Sequence, residues 1–245
     1  MLANPEKARF ILESLFKRLE RTLDSLKPVA QKKSAWSDYM ATHSYDDPAL
    51  AAKEQFVSEA LREFKPARVL DAGANTGHFS ALAAQAGAEV VAIDIDPVCV
   101  GTIWRRGREQ KLNILPMVVN LTHPSPALGW RNSECPSFLD RATGAFDGVL
   151  MLALIHHLLV TERIPLEEIF RLAAQLTNSL LIIEFIAPED EMFRRLTRGR
   201  AHLHATLDVT VFEKVSAIHF EIVKSLALPG TRRRLYCLKR KIGVA

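Results

Sequence analysis

Apolar residues recur along this chain with two different periods, and the switching between them sketches a fold. From Pro5 to Leu26, Phe10, Ile11, Leu15, Leu19, Leu23 and Leu26 keep helical spacing with Lys, Arg and Glu between them, so an amphipathic helix is predicted that stops before Pro28. Residues 48–64 resume that spacing through Leu50, Phe56, Val57, Leu61 and Phe64, and Pro66 resets the chain. Short apolar runs then predict strands at 68–71, 90–94, 114–121, 146–154 and 180–186. Between them, 79–86, 97–110, 165–176, 188–199 and 209–215 read as helices. Asp96-Pro97 supplies a cap and a first-turn proline for one of these, and Gly87 ends another. The chain finishes in two strands, 219–228 and 231–241, joined at Pro229-Gly230.

Strands that alternate with helices imply a parallel sheet covered on both faces. The terminal hairpin adds one antiparallel strand, which places the last segment between its neighbours. The predicted fold is α/β, a doubly wound, seven-stranded, mostly parallel sheet with a C-terminal antiparallel hairpin and an N-terminal helical cap. Residues 1–65 are expected to form the cap or lid, and residues 66–245 the main domain. Two segments break the periodicity. Residues 32–48 hold Trp36, Tyr39, His43 and Tyr45, as expected of a loop folded over a pocket or an arm packed on the core. Residues 122–145, with Pro124, Pro126, Gly129, Trp130 and Pro136, are longer than an ordinary connection.

Composition narrows the picture only slightly. In 245 residues, 48% hydrophobic with a net charge of +4, nothing departs from a globular protein, and the mild basicity permits an acidic partner without requiring one. The three cysteines are scattered, without the spacing of a disulfide framework or a metal site, which favours a reducing, cytoplasmic setting. The most apolar run, 149–160, is about a dozen residues against the roughly 20 that span a bilayer, so no membrane partner is expected.

The chemistry gathers at Arg68-Val69-Leu70-Asp71-Ala72-Gly73-Ala74-Asn75-Thr76-Gly77-His78. A strand ends in a carboxylate and a glycine-bearing turn opens a helix; the strand 90–94 again ends in an acid, Asp94. That is the grammar of a nucleotide pocket. A phosphate-cradling loop would need a lysine that this turn lacks, and a dinucleotide turn would want glycine where Asn75 and His78 stand. A ligand carrying an ammonium, a carboxylate and an adenosine suits the residues better. Asp71 offsets the ammonium, the helix N-terminus after Gly77 meets the carboxylate, and Asp94 accepts both ribose hydroxyls. S-adenosylmethionine is such a ligand, with S-adenosylhomocysteine as its product.

Val69 to Gly77 resembles the first motif of class I S-adenosylmethionine-dependent methyltransferases, and Val91 to Pro97 their second. Phe146-Asp147-Gly148-Val149-Leu150-Met151-Leu152 resembles the fourth-strand motif, and Ile155-His156-His157-Leu158 the run that follows it in many members. The likeness covers roughly residues 66–241 and implies a Rossmann-like fold. Within the family, Gly129-Trp130-Arg131, Leu154 to His157 and Ile183-Glu184-Phe185 resemble the nodulation-protein NoeA-like branch. The resemblance implies that Asp71, Gly73, Asn75 and Gly77 line the methionine end of the cofactor, while Asp94 holds the ribose and Ile95 packs on adenine. It implies further that the Asn120 carbonyl accepts the adenine amino group beside Leu121, and that Met151, Leu152 and Ala153 lie beneath the methionine.

Methyl transfer is an in-line displacement, so alignment supplies much of the rate and a base is needed only for a protonated nucleophile. Candidate bases are His156, preferred over its neighbour His157, and Glu184, a lone carboxylate in an apolar strand. The alternative for the histidines is that they satisfy local backbone groups. Lys53 is expected to reach the cofactor carboxylate. Trp36, Tyr39, Tyr45, Trp130 and Arg131 are candidates for the acceptor pocket. A small-molecule acceptor is favoured. The alternatives are an RNA or protein acceptor docked on the basic residues of 194–200 and 232–241, or a non-catalytic cofactor-binding module.

Overall fold

The computed structural model describes residues 5–25, 47–241 and 243. The chain divides into two compact units, residues 1–33 and 34–245. The described part of the first is one helix, α1 (Pro5–Ser25), whose Phe10, Leu12, Phe16 and Leu23 are exposed. Arg9 and Glu13, one turn apart, pair at 2.8 Å on its surface.

The second unit begins with α2 (Asp47–Phe64) and then follows the alternating pattern: β1 (Arg68–Ala72), α3 (His78–Gln85), β2 (Glu89–Asp94), α4 (Pro97–Glu109), β3 (Ile114–Val118), α5 (Phe138–Ala142) and β4 (Phe146–Met151). It continues through α6 (Leu166–Leu176), β5 (Thr177–Ile186), α7 (Glu191–Leu196), α8 (Val209–His219), β6 (Phe220–Ala227) and β7 (Arg233–Arg240). The seven strands form one sheet in the order β3-β2-β1-β4-β5-β7-β6, and only β7 runs antiparallel to its neighbours. The chain therefore reverses its direction of build between β1 and β4, where doubly wound sheets open a crevice at the strands' C-terminal ends.

Alternation along each strand sorts its side chains into two cores. Leu181, Ile183 and Phe185 of β5 join Tyr236 and Leu238 of β7 on one face, packed on Phe170 of α6 and Phe212 of α8. The Phe212 ring lies 5.1 Å from Phe170, 5.0 Å from Phe185 and 4.9 Å from Tyr236, centroid to centroid. Leu180 and Ile182 of β5 and Leu235 and Cys237 of β7 face the other way, onto Val57 and Leu61 of α2 and the α3–α4 side. Helix α2, grouped by the sequence reading with an N-terminal cap, is thus part of the cover on the sheet.

The capping residues act as their types dictate. Asp96 accepts the Val98 N–H at 2.9 Å with Pro97 opening α4, and Asp208 accepts the Val211 N–H at 2.8 Å to start α8. Strands β3 and β4 stop three residues short of the apolar runs that predicted them, because the rest of each run lines a cavity instead of extending a ladder. The helix expected over 188–199 contracts to α7, and the one expected over 209–215 extends to His219. Among the described residues no helix is long and apolar enough to cross a membrane.

Candidate active site

At the end of β1 the chain turns with the N–H groups of Gly73 and Ala74 both donating to the Ile93 carbonyl, at 2.9 and 3.0 Å. Gly73 sits at φ 71°, and a Cβ there would come within 3.0 Å of the Leu154 Cδ1. Gly77, at φ 76°, precedes α3 and provides no side-chain cap, so the first N–H groups of that helix, apart from that of Ser80, which turns to Asp71, remain for another acceptor. Its own Cβ would strike Ile103 of α4 at 2.8 Å. Gly77 therefore serves close packing and does not itself line the cavity, whereas Gly73, Asn75, Thr76, His78 and Phe79 do. Asp71 is buried and accepts the Ser80 hydroxyl at 2.5 Å. Burial raises its pKa to about 6; the Ser80 hydrogen bond opposes the shift and the Asp94 charge adds to it.

Asp94, at the end of β2, is held by the backbone: one oxygen accepts the Asn75 N–H at 2.7 Å and the other the Asp96 N–H at 2.9 Å. Burial raises its pKa while these hydrogen bonds lower it. The Ile95 N–H adds to this brace, and the carboxylate lines the cavity. Ile95, Val119 and Leu121 line the same end, and Ile95 is 57% exposed, an apolar face left open. The Asn120 carbonyl, expected to meet an adenine amino group, accepts instead from Thr122 N–H at 2.9 Å, Thr122 Oγ1 at 2.7 Å and His123 N–H at 3.3 Å. It is committed within its own loop.

Beyond β4 the wall is Leu152, Ala153 and Leu154. Met151, by the period-two alternation, is buried in the core and does not reach the cavity. Ala153 has φ 50°, an unusual conformation for a residue with a Cβ. Its N–H donates to Glu184 Oε2 at 3.0 Å, and the same oxygen receives Lys53 Nζ at 2.6 Å. Glu184 Oε1 lies 3.6 Å from Arg233 Nη1, and Arg233 in turn donates to Asp190 at 2.8 and 3.2 Å. All four charges are buried. Glu184 is thus an internal counter-charge and does not line the cavity; Lys53 does, with its ammonium 5.0 Å from the Phe79 ring centroid. Burial lowers the Lys53 pKa, against the pull of Glu184.

The adjacent histidines part company. His156 is buried, neither ring nitrogen makes a hydrogen bond, and it does not line the cavity. Burial, then its neighbours His157, Arg233 and Lys53, holds its pKa well below the usual value. His157 opens a π-helical turn (His157–Thr161) and lines the cavity together with Leu158, Thr161 and Glu162. Burial lowers its pKa as well, so the ring is neutral at neutral pH and able to accept a proton. The enclosed volume is about 340 Å³, in the range of small-molecule sites.

Trp130 and Arg131 stand on a short 3₁₀ turn in the long insertion, both exposed and neither lining the cavity. Trp36, Tyr39 and Tyr45 lie outside the described residues. Sequence reasoning missed Ser80, the Arg233–Asp190 pair and the cavity residues Leu50, Thr122, Thr161 and Glu162. Ser80 carried a usable signal, since it sits two residues into the helix that faces the strand ending in Asp71.

A family model described as a methyltransferase domain matches residues 43–213, most of the chain. The chain belongs to the methyltransferase-domain family. Over 228 residues it is 32% identical to the nodulation protein NoeA of Rhizobium meliloti (strain 1021), covering 93% of this chain and 47% of that protein, so it spans about half of that relative's length. Its fold is similar to that of N-methyltransferase NodS from Bradyrhizobium japonicum WM9 (TM-score 0.58, 12% identity, 80% of this chain and 98% of that one). It is also similar to magnesium protoporphyrin IX methyltransferase from Synechocystis PCC 6803 with bound S-adenosylhomocysteine (TM-score 0.56, 20% identity, 84% and 92%).

This methyltransferase domain has the class I fold, and its residues fit S-adenosylmethionine as the methyl donor. The turn at Gly73 leaves open the space that a Cβ would take from Leu154. The uncapped N-terminus of α3 offers N–H groups to a carboxylate, Asp71 offers a charge to an ammonium, and the backbone-braced Asp94 offers oxygens to a diol.

Proposed function

We propose that this chain transfers the methyl group of S-adenosylmethionine to a small-molecule acceptor, with His157 receiving the acceptor's proton. The observation that carries this reading is the cavity itself. It sets Asp71 and Asp94 at the ends of adjacent strands, His157 and the β4 wall opposite, and among the described residues that line it there is no arginine. An RNA-methylating site would bring its cations to the cavity rim, whereas here the arginines of 194–200 and 232–240 stand elsewhere.

When bound, the cofactor supplies an electrophilic methyl carbon on a sulfonium. The protein's part is to hold and orient. Asp71 and the α3 N-terminus bind the amino-acid end, and Asp94 binds the ribose. Ile95 and Leu121 cover the adenine, and Leu152 to Leu154 form an apolar wall that keeps water from the reacting centre. Lys53 presents its ammonium to that wall, anchored by Glu184 from behind. The neutral His157 ring can take the proton that an O–H, N–H or S–H acceptor gives up.

Incubation with methyl-labelled S-adenosylmethionine and fractionated cell extract tests the reading. Label is expected in the small-molecule fraction, and label confined to RNA or protein overturns it. With the labelled acceptor in hand, His157→Gln is expected to lower kcat by roughly 10²-fold or more at little-changed cofactor affinity.

A further inference from the structure

The π-helical turn has a second side. Its His157, Leu158 and Thr161 face the first cavity, whereas Leu159 and Val160 form the floor of another, of about 290 Å³, flanked by Leu203 and His204 of the 3₁₀ turn Ala201–His204. The floor is buried hydrocarbon, and Leu203 leaves 63% of its surface exposed on the lip. The polar lining is entirely basic: Arg163, Arg200 and His204, with no carboxylate among them. From Met192 to Leu207 the chain carries four arginines and no Asp or Glu, so no acid of that segment neutralises the site. Neither Arg163 nor Arg200 is in a recorded ion pair among the described residues. Burial and then the nearby Arg200 lower the His204 pKa, so the site's positive charge comes from the two arginines. Arg163 itself holds φ 58°, a left-handed backbone that a long side chain adopts only where the surroundings fix it.

Two guanidinium groups beside a concave hydrocarbon floor match one kind of molecule: an anionic head on a short aliphatic body. We propose that this second cavity is a binding site for a small amphipathic anion, with a phosphate or carboxylate group on Arg163 and Arg200 and the chain over Leu159, Val160 and Leu203. The volume admits a chain of about six carbons and excludes a long acyl tail. The inference stands apart from the methyl-transfer reading, because none of these residues lines the first cavity.

The test is calorimetric titration of the full chain with hexyl phosphate, hexanoate and hexanol, each taken to about 1 mM. Saturable one-site binding is expected for hexyl phosphate, hexanoate or both, the stronger of the two identifying the head group, with hexanol at least tenfold weaker. Substituting Arg163→Gln with Arg200→Gln should weaken the anion at least tenfold, and Leu203→Asp, on the exposed lip, should do the same from the apolar side. The circular dichroism and Tm of both variants are expected to match the parent, so a lost signal reports the site and not the fold. Excess S-adenosylhomocysteine should leave anion binding unchanged. The proposal fails if neither anion saturates, if hexanol binds equally well, if both variants bind like the parent, or if S-adenosylhomocysteine displaces the anion and so places it in the first cavity.

Discussion

Asp71 on β1 and Glu184 on β5 are both buried carboxylates in apolar strands of one sheet, and the protein treats them in opposite ways. Asp71 is held by one residue, Ser80, through its hydroxyl and its backbone N–H, and faces the cavity. Glu184 receives Lys53 and the Ala153 N–H and lies against Arg233, with Asp190 completing the chain of charges. An acid left incompletely compensated can meet a ligand's cation; an acid surrounded by donors holds walls together. Burial alone, the reason for reading Glu184 as a base, does not distinguish the two. The contrast predicts its largest effect at Glu184. Removing the carboxylate in Glu184→Ala leaves Lys53 and Arg233 buried beside a void, which should cost about 3–5 kcal/mol in chemical denaturation. Glu184→Gln keeps an acceptor for Ala153 and should fall between the two. A Glu184→Ala protein as stable as the parent would remove the distinction.

At Asp71 the signs should reverse. Because burial favours the protonated acid, the neutral Asp71→Asn should fold with unchanged or slightly higher stability. Its cofactor affinity should nevertheless drop about 10–100-fold, the equivalent of ~1.5–3 kcal/mol for a charged hydrogen bond. Equilibrium binding of S-adenosylhomocysteine beside a thermal melt reads both quantities on one sample. A melt that collapses together with affinity would make Asp71 a second Glu184.

The same contrast explains how much could be read beforehand. Strand β1, its glycine turn and the acid ending β2 were legible because local rules govern them: a strand period, a positive-φ turn and a side chain at a strand end. The antiparallel β7 was legible from Pro229-Gly230, a turn dipeptide that leaves a hairpin little choice. Glu184 was visible as an anomaly, but its partners are 131 residues away on α2 and 49 residues on, in β7, and no periodicity records such a meeting. For the histidines, neighbouring side chains diverge, so one ring lines the cavity and the other does not; which one depends on a π-helical turn that sequence spacing does not announce. Asn120 lines the cavity beside Leu121, but with its carbonyl already engaged. Its residue type suited adenine, but Thr122 and His123 bring three donors to its carbonyl, a local turn that Asn favours wherever it can form. The strained Ala153 could not be foreseen, since it is set by the Glu184 acceptor and not by its own type.

The smallest effect concerns protons. With its pKa raised from 3.8 to about 6, Asp71 is ionised at neutral pH and protonated at pH 5. A ligand ammonium selects the ionised form, so cofactor affinity should be flat above pH 7 and fall by about tenfold per unit below pH 6. Binding at pH 6 should also release a fraction of a proton, seen as a dependence of the calorimetric heat on buffer ionisation enthalpy that disappears by pH 8. For the fold alone the direction is opposite. The native state holds this proton more tightly than the unfolded chain, so the Asp71 contribution to stability is greatest below pH 3.8 and is lost as pH rises through about 6. Ser80→Ala should move both curves to higher pH, because the hydroxyl that stabilises the carboxylate is gone. Glu184→Gln should leave the midpoint of the affinity curve in place even as it lowers stability. A shift of that midpoint in Glu184→Gln equal to the one in Ser80→Ala would mean that the two carboxylates titrate as one system, and the division between a ligand acid and a structural acid would fall.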